Sequence, residues 1–306
     1  MASTSNSSPH PVERSEAPWT VKCETYWMLI NLKSLPEGVY DKLEEPLLQH
    51  GEFKGGMGFL MVVRYSYTPV GTYDELAIVP GNFTVPQPSG TGLPKIPKKA
   101  MRICRIYVSQ RTTVYNGRLN WNIAKHLARF KFSAPPTAAG QSPPEKLDIA
   151  VYPPGTMEGD GVPPFFACTL QPFKWLPSIP FNAKYLPVES SPAQPPVPAA
   201  AGQKEAAAAE IQARDDGSGT INPYNTSPQH EDALLAGTDT WCSFAFEAST
   251  PRARGCWVTV HEGATQSGER TDETSKYWPR GLRPWAIGGW LEDAQIYIGP
   301  PVEWKL

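Results

Sequence analysis

Short apolar runs separated by proline- and glycine-rich breaks fill most of the chain, a pattern that predicts β-strands joined by turns. These runs are residues 26–30, 59–65, 75–79, 101–109, 147–152, 165–172, 240–248, 254–261 and 294–298. Residues 112–129 differ, because their apolar positions recur at helical spacing after a candidate N-cap, Thr112 or Thr113. The pattern predicts a mainly β (α+β) fold: a curled antiparallel sheet that closes into a β-barrel or cone with an internal pocket, and one principal amphipathic helix.

A shift in composition marks the limits of the folded part. Residues 1–18 are rich in serine, proline and asparagine and are expected to form a disordered tail, which leaves residues 19–306 as a single domain. Between residues 187 and 231, proline and alanine replace almost all aromatic residues, so this segment is expected to be a flexible insertion. The chain beyond it holds too few apolar runs to bury a core alone, which disfavours a second domain.

The charge balance excludes several classes of partner. The formal net charge is −2, and basic residues do not alternate with aromatic ones, so nucleic acid is not an expected partner. The chain has no apolar run long enough for a bilayer and no apolar signal segment at its start, so we expect a cytoplasmic protein without membrane contact. These observations leave open whether the chain forms a homo-oligomer.

The sequence lacks the usual cofactor and metal motifs. It has no glycine-rich phosphate loop, no GxSxG nucleophile elbow, and no HExxH or HxH pair of histidines. Its five cysteines include no CxxC pair, which favours free buried thiols over a disulfide framework or a zinc site. We therefore expect neither a cofactor nor a metal, and the expected partner is a small molecule.

Lys125 is the candidate for chemistry, because the helical pattern places it where apolar residues face inward. In the predicted helix it shares one stripe with Trp121, Ala128 and Phe132. Burial against such groups disfavours the ammonium, lowers the lysine pKa and yields an amine that attacks carbonyl carbon. The alternative is that the aliphatic stem packs on Trp121 while the charged end reaches water, and periodicity alone favours this alternative.

Glu75 is the candidate partner of this lysine. It follows Asp74 at the start of a predicted strand, where successive side chains point to opposite faces. If Glu75 faces inward, its carboxylate serves proton transfer or substrate orientation. The alternative that stays open is a solvated carboxylate next to the preceding turn.

Two segments resemble proteins of the acetoacetate decarboxylase-like superfamily. Residues 67–75, YTPVGTYDE, are similar to a Pro-x-Gly-x-Tyr turn that precedes an acidic residue in that superfamily. Residues 117–128, GRLNWNIAKHLA, are similar to its Gly-Arg-Glu-x-Trp-Gly-Phe-Pro-Lys-Lys-Leu-Ala stretch. The arginine, the tryptophan and the lysine of that stretch fall in register with Arg118, Trp121 and Lys125.

The resemblance implies a β-barrel with Lys125 in an internal pocket, where it forms a Schiff base with a keto acid or another carbonyl compound. The iminium then serves decarboxylation, or aldol and dehydration chemistry, as in a cofactor-free lyase. The resemblance also implies that Glu75 takes part in proton transfer, and it gives substrate binding to Arg118, Trp121, His126 and Tyr73.

Two departures from the superfamily pattern bear on the reaction. His126 stands where the superfamily has a second lysine next to the nucleophile. Residues 22–26, KCETY, contain no arginine of the kind that would pair with a substrate carboxylate. Together with the proline-rich insertion, these departures make the chain similar to divergent members that act in secondary metabolism on larger, more apolar carbonyl compounds.

Two other functions stay open. A barrel that binds an apolar small molecule without covalent chemistry would act as a carrier, or as a cyclase or pericyclic template, lined by Trp257, Trp278, Trp285 and Trp290. A structural relative without an active pocket would have Trp121 or Phe130 in the space around Lys125.

Overall fold

Strands make up most of the computed structural model, which describes residues 10–88, 96–185, 191–261 and 276–306. In this part of the chain the helices are α1 Arg111–Trp121 and α2 Gln203–Asp215, and short 3-10 turns occupy Glu45–Gln49, Ala183–Tyr185, Pro228–His230 and Asp232–Leu234. The strands are β1 Trp19–Leu32, β2 Phe53–Tyr67, β3 Tyr73–Val79, β4 Asn82–Thr84, β5 Lys99–Met101, β6 Arg105–Val108, β7 Lys125–Leu127, β8 Arg129–Phe132, β9 Leu147–Tyr152, β10 Phe166–Pro172, β11 Ile179–Asn182, β12 Ala193–Gln194, β13 Trp241–Ser243, β14 Phe246–Val260, β15 Ile287–Ile298 and β16 Val302–Trp304.

The strands form one large sheet and one small one. Within the described ranges, thirteen strands build a nearly closed, barrel-shaped mixed sheet whose main path runs β7-β6-β3-β2-β1-β15-β14-β10-β9-β8. The strands β12, β13 and β16 form a separate three-stranded sheet. This architecture confirms the predicted mainly β fold class. A curled sheet of this kind leaves few open edges.

Both faces of the large sheet are buried near its centre, and each face has its own apolar core. On β2, Phe59 and Val63 belong to one core, while Leu60 and Val62 belong to the other. Alternating side chains of a strand point to opposite faces, so a strand that is covered on both sides reads as a continuous apolar run. We call the face of Phe59 and Val63 the inner face, because helix α1 packs on it through Val114.

The predicted helix over residues 112–129 is wrong in its second half. Helix α1 ends at Trp121, where Asn122 adopts the left-handed conformation with φ 53° and donates its backbone N–H to Arg118. Asparagine tolerates this conformation and commonly ends helices in this way. The chain then continues as β7, which pairs parallel with β6, so the sheet is mixed rather than antiparallel throughout. Lys125 therefore lies on a strand and not on a helix.

The start of α1 also differs from the prediction. The N-cap is Gln110 rather than Thr112 or Thr113, and its side-chain oxygen accepts the backbone N–H of Thr113 at 3.0 Å. The unit β6-α1-β7 is a short parallel crossover. In such a unit the helix packs on the sheet between the two strands that it joins, which brings α1 over the strand that carries Lys125.

Two segments that were predicted to lack structure make defined contacts. Ser15 donates its backbone N–H to the Asn116 side chain at 2.7 Å, so residues 10–18 pack on α1 rather than forming a free tail. Within the predicted insertion, residues 191–231 include α2, whose Glu210 pairs with Arg111 of α1 at 2.5 Å. Residues 1–9 and 187–190 lie outside the described residues, and the flexibility of the insertion stays a prediction.

Two further findings concern the cysteines and the membrane. All five cysteines are free and buried, which confirms the prediction of free thiols. Among the described helices, none combines the length and the apolar character that crossing a bilayer requires.

Candidate active site

Lys125 is buried on the inner face and forms an ion pair there. The residue is 4% exposed, and its Nζ donates to Glu75 Oε2 at 2.7 Å and to Thr113 Oγ1 at 3.0 Å. Thr113 and Gly117 lie one turn apart on α1 and so face the same way. The ammonium is therefore held between strand β3 and helix α1, away from water.

Glu75 is the inward residue of its pair, as the alternation along β3 requires. It is 5% exposed, and its second oxygen, Oε1, accepts the Tyr65 hydroxyl at 3.1 Å. The ring of Tyr73 lies 5.3 Å from Lys125 Nζ and 4.5 Å from the ring of Tyr65, measured to centroids. Asp74 points to the other face, where its Oδ1 lies 3.8 Å from Arg64 Nε. Glu75 thus has a partner on each oxygen.

The groups around the ion pair stay neutral. Burial, and then the charge of Glu75, raise the pKa of both Tyr65 and Tyr73 well above the usual value, so both phenols keep their protons. The same two causes raise the pKa of the Cys23 thiol. The site therefore offers one amine, one carboxylate and neutral hydroxyl and thiol groups.

A second buried cluster lies behind β7, on the opposite face from Lys125. His126 Nε2 contacts Glu44 Oε2 at 2.9 Å, and His126 Nδ1 lies 3.5 Å from Glu231 Oε1. Arg118 Nη1 donates to the other oxygen of Glu44 at 2.7 Å. Lys125 and His126 are consecutive in a strand, so their side chains diverge to the two faces of the sheet. The imidazole is therefore held against Glu44 and Glu231.

The charges of this cluster reinforce one another. Burial alone raises the pKa of Glu44, but the charge of His126 and its hydrogen bond, followed by those of Arg118, outweigh burial and lower it to about 2. Burial alone lowers the pKa of His126, but Glu44 and Glu231 outweigh burial and raise it to about 10. His126 is consequently an imidazolium at neutral pH, and Glu44 is its carboxylate counter-ion.

Asp41, Glu44 and His126 are the one group of potential metal ligands in the described residues, with donor atoms within 4.8 Å of one another. Glu44 is already neutralised by Arg118 and by the protonated His126. Both nitrogens of the imidazolium carry protons, so one proton would have to leave before His126 could bind a metal ion. We therefore interpret this cluster as an ion-pair network.

Comparison with known proteins rests on structure alone, since no family model and no curated protein sequence matches the chain. The acetoacetate decarboxylase of Legionella pneumophila superimposes with a TM-score of 0.52 and 10% sequence identity, over 95% of this chain and 88% of that one. A second acetoacetate decarboxylase structure gives a TM-score of 0.51 and 10% identity, over 96% and 91% of the two chains.

The chain has the acetoacetate decarboxylase fold. The resemblance that residues 67–75 and 117–128 suggested is thereby confirmed in the architecture. The enduracididine biosynthesis enzyme MppR, in complex with pyruvate, superimposes with a TM-score of 0.42 and 11% identity, over 94% of this chain and 89% of MppR.

Within this acetoacetate decarboxylase fold, the structure brings together only part of the predicted site. Lys125, Glu75 and Tyr73 meet on the inner face. Arg118 and His126 lie in the cluster around Glu44, and Arg118 Nε also donates to the backbone oxygen of Ala236 at 2.9 Å. Both side chains therefore lie outside the pocket that the resemblance implied. His126 leaves β7 on the face opposite Lys125, and Arg118 extends from α1 to Glu44.

Trp121 lies on the inner face but serves the core there. Its Nε1 donates to the backbone oxygen of Gly299 at 2.8 Å, and its ring stands edge-on to Trp19 at 5.0 Å. Phe130 is packed with the opposite, outer core rather than near Lys125. The substrate-binding role that the resemblance implied for Trp121 stays a prediction.

The four tryptophans of the non-covalent alternative do not share one lining. Trp278 and Trp290 are buried in the outer core, on the opposite face from Lys125. Trp257 and Trp285 are 48% and 49% exposed. A single pocket lined by all four, as the alternative requires, would have to include both faces of the sheet.

Three contributors to the site were not recognised from the sequence: Tyr65, Thr113 and Gly117. Tyr65 pairs with Tyr73 across β2 and β3, which a hairpin register would have indicated. Gly117 was part of the recognised GRLNW stretch, but its purpose is visible only in three dimensions. A Cβ atom at this position would lie 2.7 Å from both Cδ and Cε of Lys125. The glycine therefore makes room for the lysine stem.

Replacing Gly117 with alanine tests this close approach. In an ordinary helix the change stabilises by about 1 kcal/mol, but here the methyl group would overlap the lysine stem and displace Nζ from Glu75. We expect Gly117→Ala to lower the free energy of unfolding in the wild type and to raise it in a Lys125→Ala background, measured by urea unfolding. The same effect in both backgrounds would contradict the proposed overlap.

Proposed function

We propose that this chain is a cofactor-free enzyme of the lyase type that forms a Schiff base between Lys125 and the carbonyl carbon of a keto acid or related compound. The observation that carries the proposal is the buried Lys125 Nζ with the Glu75 carboxylate 2.7 Å away. Amine catalysis needs a nucleophile and a base within hydrogen-bond reach of each other. This pair supplies both, on rigid elements of an acetoacetate decarboxylase fold.

Glu75 begins the reaction by accepting one proton from the Lys125 ammonium. The neutral amine attacks the carbonyl carbon and forms the C–N bond, while the carbonyl oxygen takes a proton from the nitrogen and becomes a hydroxyl group. Protonated Glu75 then gives its proton to that hydroxyl, the C–O bond breaks and water leaves. In sum, one ammonium and one ketone give one protonated imine and one water, and Glu75 is again a carboxylate.

The iminium withdraws electrons from the neighbouring carbon, which permits either loss of CO₂ or loss of a Cα proton to give an enamine. Strand β1 presents the neutral thiol of Cys23 near Glu75, and the guanidinium of Arg118 is engaged with Glu44. No cation for a substrate carboxylate is provided by either residue. We therefore favour enamine chemistry, of the aldol or dehydration type, over decarboxylation of a small keto acid.

Oxygen exchange tests imine formation without knowledge of the natural substrate. Imine formation and hydrolysis replace a ketone oxygen with oxygen from water, so the protein should accelerate ¹⁸O uptake from H₂¹⁸O into pyruvate or acetoacetate. Lys125→Met should abolish this acceleration, and Lys131→Met, which changes an exposed lysine on β8, should not. Equal ligand affinity in the wild type and Lys125→Met, with no exchange in either, would favour a non-covalent binding barrel.

A further inference from the structure

The strand that carries Lys125 has a free edge. Within the described residues, β7 lies at one end of the main path of the large sheet and pairs with β6 alone. The Ala124 oxygen and the Ala128 N–H, on either side of β7, bond to β6 at 2.9 Å each. Alternate residues of a strand direct their backbone groups to one neighbour, and the residues between them point the other way. The N–H groups of Lys125 and Leu127 therefore point to the free edge.

A carboxylate from a distant segment closes this edge. Glu231 Oε1 accepts the Leu127 N–H at 2.6 Å, whereas the Lys125 N–H bonds locally to the Ile123 oxygen at 2.8 Å. Leu127 is fully buried, so water does not replace the carboxylate as the acceptor. Hydrogen bonds to an ionised oxygen are roughly twice as strong as neutral ones. The bond thus ties the free edge of β7 to a residue 104 positions further along the chain.

Glu231 is itself held in place by the core. It lies between the last two 3-10 turns of the described chain, and its backbone oxygen accepts the Leu234 N–H at 2.8 Å. Leu234 and Leu235 are buried in the inner core. The imidazolium of His126, whose Nδ1 lies 3.5 Å from Glu231 Oε1, offsets the charge of the carboxylate. The oxygen that binds Leu127 therefore has a defined position.

The segment that precedes Glu231 contacts the other elements of the site. The Pro223 oxygen accepts the backbone N–H of Arg111, the first residue of α1, at 2.7 Å. The Tyr224 hydroxyl lies 3.3 Å from Thr72 Oγ1, in the turn that leads into β3. The predicted insertion therefore contacts α1, β7 and the turn before β3, and these three elements provide the groups around the lysine amine.

We propose that Glu231 is a positioning residue for Lys125: its hydrogen bond to Leu127 fixes β7 at the place where the lysine amine meets Glu75. The proposal rests on the proposed function and gives the predicted insertion a role in it. Leu127 is two residues from Lys125 on a strand of three, so a shift of the free edge moves both. The lysine stem has no room for such a shift, because it runs against Gly117. A displacement of about 1 Å is enough to slow a reaction by up to about 100-fold.

Removing and restoring the hydrogen-bond acceptor tests this role. In Glu231→Ala we expect kcat for ¹⁸O exchange into pyruvate or acetoacetate to fall at least about tenfold. KM should change by less than about twofold, because Glu231 does not touch the substrate. Glu231→Gln keeps an oxygen for the Leu127 N–H without the charge, and should restore kcat to within about threefold of the wild type. Asp232→Asn, at the exposed neighbouring position, is the control and should change neither constant.

Two further measurements need no substrate. Hydrogen exchange of the Leu127 amide, followed by NMR, should be at least about tenfold faster in Glu231→Ala and close to the wild type in Glu231→Gln. Acetic anhydride should modify Lys125 faster in Glu231→Ala than in the wild type, relative to the exposed Lys131 in the same sample. Glu231→Asp, whose carboxylate is one methylene too short to reach Leu127, replaces Glu231→Ala if that variant fails to fold.

Separate outcomes distinguish the two proposals. An unchanged Leu127 amide, or a faster one with an unchanged kcat, would overturn the positioning role and leave imine chemistry intact. Equal losses of kcat in Glu231→Ala and Glu231→Gln would also overturn it, because charge and not the hydrogen bond would then matter. If the wild type exchanges no ketone oxygen, the proposed function fails and acetylation decides on the positioning: faster modification of Lys125 in Glu231→Ala alone supports it, and equal rates in all three proteins overturn it.

Discussion

Replacing Glu75 with glutamine is expected to slow carbonyl oxygen exchange by at least about 100-fold, the usual contribution of a positioned proton donor and acceptor. Glutamine retains an acceptor for the Tyr65 hydroxyl, which now donates to Oε1 at 3.1 Å. It cannot accept the lysine proton, nor return one to the departing hydroxyl. The hydroxyl that forms after attack by the lysine then has no acid to protonate it, so loss of water becomes the slow step.

The pH dependence separates this account from a simple structural effect. Because the missing group is an acid for the departing hydroxyl, the rate of Glu75→Gln should not recover as pH rises, and Glu75→Asp should restore part of it. The matched control is Asp74→Asn, one residue away on the opposite face, which should leave the exchange rate within about twofold. An unchanged rate in Glu75→Gln would show that Glu75 does not move protons in this reaction.

Replacing Glu44 with glutamine is expected to lower the free energy of unfolding by roughly 3–5 kcal/mol. The carboxylate is fully buried between the guanidinium of Arg118 and the imidazolium of His126. Its removal leaves the buried guanidinium of Arg118 without its counter-ion and leaves His126 with Glu231 as its one carboxylate partner. Glu45→Gln, at the exposed neighbouring position, provides the control and should change stability by no more than about 0.5 kcal/mol.

The cluster also determines how the free energy of unfolding, measured with urea, changes with pH. The pKa of Glu44 is lowered to about 2, so its contribution is complete above the ordinary value and is lost as pH falls through 2. The pKa of His126 is raised to about 10, so its contribution is complete below about 6.5 and is lost as pH rises through 10. Glu44→Gln should flatten the curve of stability against pH at both its acidic and its alkaline end. A variant that keeps the wild-type curve would contradict the assigned charges.

The two residues of the proposed chemistry, Lys125 and Glu75, could be selected from the sequence, although part of the reasoning was wrong. Lys125 is buried as expected, but its burial comes from a strand and not from the helical stripe with Trp121. The apolar positions of residues 123–128 fit both a helical and a strand period. The left-handed conformation of Asn122 ends the helix, so the strand forms. Glu75 faces inward because the register of β3 places it between Val63 and Val108 of the inner core, and no local pattern reveals that register.

The residues that the prediction misplaced share one cause. The resemblance implied substrate binding by Arg118 and His126, whereas the strand sends His126 to the face opposite Lys125. Glu44 and Glu231, which hold it there, come from distant segments. Partners of this kind depend on tertiary packing, and neither composition nor spacing predicts them. Gly117 could have been noticed, because a glycine inside a helix usually has a packing reason.

The most direct test of the central claim is the mass of one peptide. The protein is incubated with pyruvate and sodium borohydride, with acetoacetate as a parallel sample, and digested. We expect at least one carbonyl compound to add the mass of its reduced imine to the peptide that contains Lys125, and to leave the peptides of the exposed Lys131 and Lys174 unmodified. Modification of the surface lysines without Lys125, or of no lysine by any compound, would contradict the proposed Schiff-base chemistry.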